Sequence, residues 1–261
     1  MFGCAAAIVT AVSTALIAAI VGWSVPWVAL PFAGLVAFSA AGALLPRANW
    51  LVPTATRANG AIAAVALTFD DGPDPQITPR VLEALAAAGA KATFFCIGEK
   101  LDRFPEIAQA ISAAGHEIGN HSYRHPRLMV FWRRQTVLED LRRCNRSIAS
   151  ATGTSPRWFR PPVGFRSPNI GRAAAALRLQ LVNWSLRTLD TFGADAEHLA
   201  QRVLAKVRAG DIVLAHDGSD TNHRQRSNTV AALPQILAGL QRRGLRCVTL
   251  TELLEGRTGD R

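Results

Sequence analysis

Charged residues are absent from the first part of this 261-residue chain. No Asp, Glu, Lys, Arg or His precedes Arg47, although the sequence holds 29 Lys and Arg residues against 19 Asp and Glu residues. A signal peptide is the alternative interpretation of this stretch, but the basic residues that begin such a peptide are missing and the apolar run is too long. The absence sets residues 1–46 apart from the rest of the chain.

Lysine and long basic runs are also scarce. Only Lys91, Lys100 and Lys206 occur, and no run of five or six basic residues exists despite a net charge of +10. Without such a run or an aromatic–basic platform, no nucleic-acid partner is expected. A scattered, solvated Arg surface accounts for the charge. The alternative partner is anionic lipid or a phosphate-bearing substrate, since guanidinium groups suit phosphates.

Cysteine pairs are lacking as well. Of the four Cys, Cys4 lies in the apolar start, which leaves an odd number, and none has Cys-X-X-Cys spacing. The pattern argues against a disulfide framework and against the common thiol zinc and redox motifs. Cys96 and Cys247 fall in apolar strand-like runs, where a free thiol behaves as a small hydrophobic side chain.

The first 46 residues consist of two apolar runs, CAAAIVTAVSTALIAAIVGW and SVPWVALPFAGLVAFSAAGALLP. Each approaches the roughly 20 residues that cross a bilayer, and Trp23 and Trp27 flank their junction. We interpret residues 1–46 as two transmembrane segments that form a hairpin in contact with membrane lipid. A single span followed by a re-entrant segment is the alternative, because Pro26 and Pro31 weaken the second run.

The expected location is a membrane of the bacterial inner-membrane type. Arg47 and Arg57 follow the second run, so the positive-inside rule favours a cytoplasmic domain, with a periplasmic or extracellular domain as the alternative. Residues 47–61 are interpreted as a linker, 62–255 as the globular domain and 256–261 as a polar tail.

From position 61 onward, short apolar runs alternate with helical patterns such as TPRVLEALAAAG and DAEHLAQRVLAKVRAG. This alternation predicts an α/β fold with a parallel sheet, either a closed barrel or an open doubly wound sheet. The predicted strands are 62–69, 92–97, 116–119, 157–160, 179–184, 211–215 and 245–249.

Polar side chains follow most of these strands. The carboxyl ends of barrel strands share one face, where catalytic sites are built, so five such clusters predict a single site. The clusters are Asp70-Asp71, His121, Arg160-Pro161-Pro162, Asp190 and His216-Asp217.

The doubled aspartate and a histidine pair predict a metal site. His121 and His125 in NHSYRH are four residues apart, a spacing that aims two imidazoles at one ion. An aspartate as third ligand leaves an open position for water and relieves the repulsion between the neighbouring carboxylates. One aspartate then binds the cation while the other accepts a proton.

The remaining clusters suit the same reaction. Arg160 is predicted to pair with the free aspartate and to keep it ionised. His216 is predicted to protonate a leaving nitrogen, with Asp190 fixing its tautomer and raising its pKa. The alternatives are structural: a loop cap for Arg160, a turn for Asp190 and a helix N-cap for Asp217.

Four motifs, TFDDGP, HSYRH, RPPVG and IVLAHDG, occur in this order, and the stretch from 64 to 254 resembles the polysaccharide deacetylases, the NodB homology domain of carbohydrate esterase family 4. The resemblance implies a distorted (β/α)7 barrel. It also implies a divalent metal, usually Zn²⁺, with Co²⁺ or Mn²⁺ as alternatives. The implied reaction is hydrolysis of an N-acetyl, sometimes an O-acetyl, group on a sugar.

The resemblance assigns roles by motif position. Catalytic roles fall to Asp70 as general base, Arg160 as its orienting partner, His216 as general acid and Asp190 as the residue that tunes it. The implied metal ligands are Asp71, His121 and His125. The oxyanion and substrate pocket is assigned to Pro161, Val163 and Leu214.

The chain departs from the family pattern at three positions. Val163 replaces an aromatic residue in RPPVG, although its backbone N–H can still donate to an oxyanion. In WSLRTLDTF, Arg187 replaces an Asp and Thr191 a Trp, and Phe192 is expected to fill part of that space. These changes concern the substrate more than the reaction.

The expected activity is removal of N-acetyl groups from a chitin-oligosaccharide or peptidoglycan-like glycan by a membrane-anchored, metal-dependent hydrolase. One alternative is a deacylase or deformylase of a lipid-linked aminosugar. Another, from a different class, is a non-catalytic glycan-binding membrane protein. The expected partners are the glycan or lipid-linked sugar and membrane lipid, and no protein partner is evident in the sequence.

Overall fold

The fold is described from a computed structural model of the chain. The structure describes residues 12–13, 25–44, 50–58, 62–218 and 223–256. Most of the first predicted apolar run therefore lies outside the described residues, as does the predicted tail beyond Gly256.

One parallel sheet organises the domain, and the predicted α/β fold with a parallel sheet is confirmed. The strands pair in the order β5-β4-β3-β2-β1-β7-β6, with β8 beside β1, a path consistent with the predicted distorted (β/α)7 barrel. The strands are β1 Ala64–Gly72, β2 Ala92–Cys96, β3 Glu117–Asn120, β4 Trp158–Phe159, β5 Gln180–Leu181, β6 Leu186–Arg187, β7 Ile212–His216 and β8 Arg246–Cys247.

Helices follow most of the strands. Pro79 lies in the first turn of the helix Thr78–Ala87, where proline is well tolerated. Gly153 ends the helix Arg134–Thr152 with φ 73°, a conformation that glycine adopts without steric cost. The helices are α1 Val25–Leu44, α2 Thr78–Ala87, α3 Gly98–Arg103, α4 Pro105–Ala113, α5 Arg134–Thr152, α6 Pro168–Ala176, α7 Ala196–Lys206, α8 His223–Arg242 and α9 Leu250–Glu255.

The central strand β1 is buried on both faces, as expected for a strand of a covered parallel sheet. Successive side chains alternate between the two faces. Val65, Leu67 and Phe69 belong to the cluster under α2, α7 and α8. Thr68 and Asp70 point to the opposite face, towards Arg160. The alternation thus carries a polar pair into the interior at the end of the strand.

All seven predicted strands are present with shifted ends, and one additional strand was not predicted. That strand, β6, consists of Leu186 and Arg187 in register with Val213 and Leu214 of β7. Two residues are too few for an alternating pattern, so only the pairing with β7 identifies the strand.

The second predicted apolar run contains α1, which includes Pro31. The end of this helix meets the domain where the Arg166 N–H donates to the Ala43 carbonyl at 3.0 Å. Among the residues that the structure describes, no helix is both long and apolar enough to cross a membrane. The predicted transmembrane hairpin therefore has no support in the fold.

The predicted linker, 47–61, is partly built into the domain. Ala55 pairs with Val182 next to β5, and its N–H donates to the Leu181 carbonyl at 2.9 Å. Arg57 forms an ion pair of 2.9 Å with Asp211, just before β7. This segment thus connects the residue that follows β5 to the residue that precedes β7, while β5 and β6 form the two ends of the sheet path.

Candidate active site

Strand register brings the predicted site residues together. Asp70 at the end of β1 pairs with His216 at the end of β7. On the other side of β1, Asn120 of β3 pairs with Phe159 of β4, so the residues that follow, His121 and Arg160, leave neighbouring strands side by side. The carboxyl ends of parallel strands meet at one edge, and the five predicted clusters lie there.

The glycines of the DDG and HDG motifs allow the ends of β1 and β7 to approach each other. A Cβ on Gly72 would overlap the Asp217 carboxylate, and a Cβ on Gly218 would overlap the Asp71 carbonyl. Neither overlap is at the flexible end of a long side chain, so a larger residue would push the strands apart. The two glycines are therefore a packing requirement of the site.

Asp70 is held by a buried arginine. Arg160 Nη1 lies 2.7 Å from Asp70 Oδ1 and also donates to Thr68 Oγ1 at 2.8 Å, while Nη2 donates to the Asn183 carbonyl at 3.0 Å. The guanidinium is fully buried and stacks 4.2 Å from the centre of the Phe95 ring. Burial lowers the pKa of Arg160, and Asp70 opposes that effect. The aspartate therefore has one fixed orientation.

Asp71, His121 and His125 form a compact cluster. His121 Nε2 and His125 Nε2 lie 3.4 and 3.3 Å from Asp71 Oδ1, and the potential ligand atoms all lie within 4.8 Å of one another. Three electron-rich atoms this close repel one another unless a positive charge lies among them. The set of one carboxylate and two imidazoles fits a zinc-type ion with an open position.

The tautomer of His121 agrees with a ligand role. Its Nδ1 lies 2.8 Å from the Arg160 carbonyl, a group that only accepts, so the proton is on Nδ1 and the Nε2 lone pair faces Asp71. Burial alone raises the pKa of Asp71, but the neighbouring side chains of His121, His216 and His125 hold it well below its usual value. The lowered pKa favours the anionic form of Asp71, the form that could bind a cation.

His216 and Asp190 form a second pair across the site. His216 Nδ1 lies 2.8 Å from Asp190 Oδ1, and the His216 N–H donates to Asp190 Oδ2 at 2.9 Å. Burial lowers the pKa of His216, but the charge and hydrogen bond of Asp190, with help from Asp71 and Asp70, raise it above its ordinary value. The histidine is held through Nδ1, no described residue is hydrogen-bonded to its Nε2, and its protonated form is favoured.

The predicted pocket residues lie around this centre. Val163 has φ 52° and a side chain that is 42% exposed, in the short turn Pro162–Gly164. A β-branched residue at positive φ is strained, and such strain is concentrated at functional sites. Pro161 is buried before this turn, and Leu214 is buried in the interior two residues before His216.

The residues that depart from the family pattern lie in different surroundings. Arg187 lies over the Trp184 ring, 5.4 Å from its centre. Thr191 is half-buried beside Asp190, and Phe192 is 73% exposed; that Phe192 fills part of the space of the replaced Trp stays a prediction. The Phe192 side chain projects from the rim because its turn is short, with glycine next to it.

Several site residues were not predicted from the sequence. Arg226 and Thr229 of α8 both reach Asp190, at 3.7 Å and 2.9 Å. Thr68 and Asn183 hold Arg160. The spacing of Arg226 and Thr229, three residues apart on a helix, places both on one face, but only the packing shows that this face meets the site.

A model of the family described as polysaccharide deacetylase matches residues 58–182. A peptidoglycan-N-acetylglucosamine deacetylase of Bacillus cereus is 38% identical over 192 residues, which cover 73% of this chain and 87% of the relative. A chitooligosaccharide deacetylase of Sinorhizobium fredii is 37% identical over 198 residues, covering 73% and 92%.

Solved structures agree with these relatives. A crystal structure of a peptidoglycan N-acetylglucosamine deacetylase is 33% identical with a TM-score of 0.73, covering 80% of this chain and 95% of that chain. A protein of Bacillus anthracis described as a pseudoenzyme of carbohydrate esterase family 4 is 32% identical with a TM-score of 0.70, covering 77% and 68%. Because the fold also occurs in a pseudoenzyme, activity has to be judged from this chain's own side chains.

Proposed function

Because the chain belongs to the polysaccharide deacetylase family, we propose that it removes N-acetyl groups from a peptidoglycan-like or chitin-oligosaccharide glycan. Its enzyme class, hydrolysis of a carbon–nitrogen bond other than a peptide bond, follows from that membership. One observation carries the proposal. A carboxylate held by Arg160 and a histidine held by Asp190 end adjacent strands beside the Asp71-His121-His125 cluster.

Asp71, His121 and His125 would hold a divalent cation, with Zn²⁺ first and Co²⁺ or Mn²⁺ as alternatives. When bound, the cation would supply Lewis-acid polarisation and stabilise the negative charge that develops in the reaction. His121 donates its other ring nitrogen to a backbone carbonyl, the usual support for a histidine ligand.

Asp70 would act as the general base. Arg160 holds Oδ1, and Asp70 Oδ2 lies 3.8 Å from His121 Nε2, at the border of the proposed metal cluster. In this arrangement Asp70 accepts a proton from the water whose oxygen attacks the amide carbon. The Arg160 ion pair holds Oδ1 and so leaves Oδ2 as the oxygen that accepts the proton.

The opposite side of the site would serve the departing nitrogen. The Val163 N–H would donate to the developing oxyanion, with Pro161 and Leu214 lining the acetyl pocket. His216 then gives its proton to the nitrogen as the carbon–nitrogen bond breaks, which releases acetate and the free amine. Asp190 holds the ring for this transfer.

A second candidate substrate is a lipid-linked aminosugar. The charge-free residues 1–46 are adjacent in sequence to the domain, and α1 ends against Arg166, three residues after Val163. The lack of charged residues in 1–46 is what supports a membrane-attached chain, and the contact with α1 would then bring the site near lipid. Because Arg47 and Arg57 follow this stretch, the positive-inside rule favours the cytoplasmic face. A topology reporter fused after Arg261 tests the face, and a periplasmic readout would contradict the assignment.

Acetate release by the purified full-length chain tests the activity. N-acetylglucosamine oligomers and polyprenyl-phosphate-linked N-acetylated sugar are supplied in parallel, and the preferred substrate separates the two candidates. Asp70→Asn should lower kcat by about 10²- to 10⁴-fold, the usual contribution of a general base. The matched control is Glu197→Gln, which removes an exposed carboxylate on α7.

A chelator should abolish acetate release, and added Zn²⁺ or Co²⁺ should restore it. Full activity of Asp70→Asn would contradict the role given to that residue. Glycan binding without acetate release from either substrate would favour the non-catalytic alternative instead.

A further inference from the structure

Arg226 is a buried cation beside the site that has no role in the mechanism above. It lies in the first turns of α8 and is only 4% exposed. Its Nε donates to the Gly218 carbonyl at 2.7 Å, which ties the side chain to the segment after β7. A buried guanidinium is costly unless carboxylates compensate its charge, so its neighbours explain why it is tolerated.

Two carboxylates of the proposed mechanism flank this guanidinium. Nη2 lies 3.8 Å from Asp71 Oδ2, and Nη1 lies 3.7 Å from Asp190 Oδ2. Nη1 is buried and has no hydrogen-bond partner among the described residues. A planar guanidinium presents both nitrogens in a fixed fork, so one side chain spans two acids that are 119 positions apart in sequence.

The oxygens that face Arg226 are not the ones that face the imidazole rings, and Asp190 Oδ2 also accepts a hydrogen bond from the His216 backbone N–H. Asp71 turns Oδ1 towards His121 and His125 and Oδ2 towards Arg226. Asp190 turns Oδ1 towards the His216 ring and Oδ2 towards Arg226. In both cases the arginine contacts the far oxygen and thereby opposes rotation of the carboxylate.

Charge balance supports the same assignment. Three carboxylates, Asp70, Asp71 and Asp190, are gathered at one edge of the sheet, and Arg160 compensates only the first by a direct ion pair. Burial raises the pKa of Asp190, while His216, Arg226 and Thr229 lower it. Of the arginines that the structure describes, Arg226 lies within 4 Å of both of the other two carboxylates, Asp71 and Asp190.

We propose that Arg226 is a positioning residue that links the metal-binding carboxylate Asp71 to the acid pair Asp190–His216. Its meaning for catalysis rests on the proposed function. By contacting both far oxygens at once, Arg226 fixes Asp71 with one oxygen towards the ligand histidines and fixes Asp190 under the His216 ring. Thr229, one turn later on α8, adds a 2.9 Å hydrogen bond to Asp190 alone.

The test compares full-length Arg226→Gln and Arg226→Lys in two measurements. The visible absorption spectrum of the Co²⁺-loaded protein reports the ligand arrangement at Asp71, and steady-state kinetics with N-acetylglucosamine oligomers report kcat and KM separately. Arg226→Gln should lower kcat by about 10- to 100-fold, the usual effect of losing a group that supports a metal ligand, with little change in KM.

The Co²⁺ spectrum of Arg226→Gln should shift, because Asp71 is free to turn its second oxygen to the ion. Arg226→Lys keeps the charge but not the fork, so its kcat should lie between that of the parent protein and that of Arg226→Gln. The matched control is Arg242→Gln, an exposed position at the other end of α8, which should leave kcat and the spectrum unchanged.

Thr229→Val separates the two contacts, because the Thr229 hydroxyl donates to Asp190 and has no hydrogen bond to Asp71 among the described residues. This variant should lower kcat and leave the Co²⁺ spectrum unchanged, and it remains informative if the Arg226 variants do not fold. A folded Arg226→Gln with parental kcat and spectrum would overturn the proposal. So would a raised KM with unchanged kcat, which would place Arg226 in substrate binding.

A parent protein that releases no acetate would refute the proposed function without deciding this proposal. In that case the Co²⁺ spectra decide it: a shift in Arg226→Gln but not in Arg242→Gln supports the contact with Asp71, and identical spectra overturn it.

Discussion

Replacing Asp190 by Asn gives a direct test of the proposed acid. The substitution keeps the size of the side chain and removes the negative charge that lies 2.8 Å from His216 Nδ1. His216 must carry the proton that it donates, so activity should fall as the pH rises through its pKa. Asp190 raises that pKa in the folded protein, and its removal should move this fall in activity to lower pH.

The size of the shift follows from the contact. An opposite charge in direct contact shifts a pKa by about 1–3 units, or about 1.4–4 kcal/mol. The His216 side chain is 14% exposed and Asp190 is 1% exposed, so solvent screens the pair only slightly. The alkaline limb of the pH profile should therefore move clearly to lower pH when Asp190 loses its charge.

The assay is the pH dependence of kcat/KM for acetate release, which reports groups of the free enzyme. The matched control is Asp195→Asn, because Asp195 also lies 2.9 Å from a histidine, His198, but both side chains are largely exposed. Asparagine also remains a good helix N-cap, the role of Asp195 in α7. This control should leave the profile unchanged.

A folded Asp190→Asn protein whose profile coincides with that of the parent would refute the assignment. The reasoning would fail equally if the alkaline limb moved to higher pH, because loss of a neighbouring negative charge cannot favour the imidazolium.

Two further predictions concern stability. Gly218→Ala should lower the free energy of unfolding by about 1–3 kcal/mol in urea denaturation, because its Cβ would overlap the Asp71 carbonyl; an unchanged midpoint would contradict the close approach of β1 and β7. Arg160→Met should cost about 3–5 kcal/mol, because Asp70 would be left buried without its ion pair. Adding Asp70→Asn should return part of that loss, and two simply additive losses would argue against coupling of the pair.

Much of the site could be predicted because its residues follow strands. Asp70, Arg160 and His216 each come directly after an apolar run, and His121 comes just after the predicted strand 116–119. Parallel strands bring such positions to one edge whatever lies between them. The four family motifs added the order in which these residues occur along the chain. Neither source required knowledge of side-chain packing.

Other parts could not be predicted, for different reasons. The strand β6 is too short for a pattern, and Ala55 and Arg57 join the domain through pairings that leave no local trace in the sequence. The exposure of Phe192 depends on where its turn projects. Each of these features depends on contacts with residues that are distant in sequence.

By itself, the amino-acid sequence determined the alternation of strands and helices, the parallel sheet and the chemical groups at the strand ends. These follow from hydrophobic periodicity and local residue order. Only the tertiary structure decided which oxygen of each aspartate faces which partner, and that α8, far along the chain from Asp71, supplies Arg226 between Asp71 and Asp190. The physical reason is that the orientation of a side chain depends on strand register and helix packing, which short-range sequence patterns do not encode.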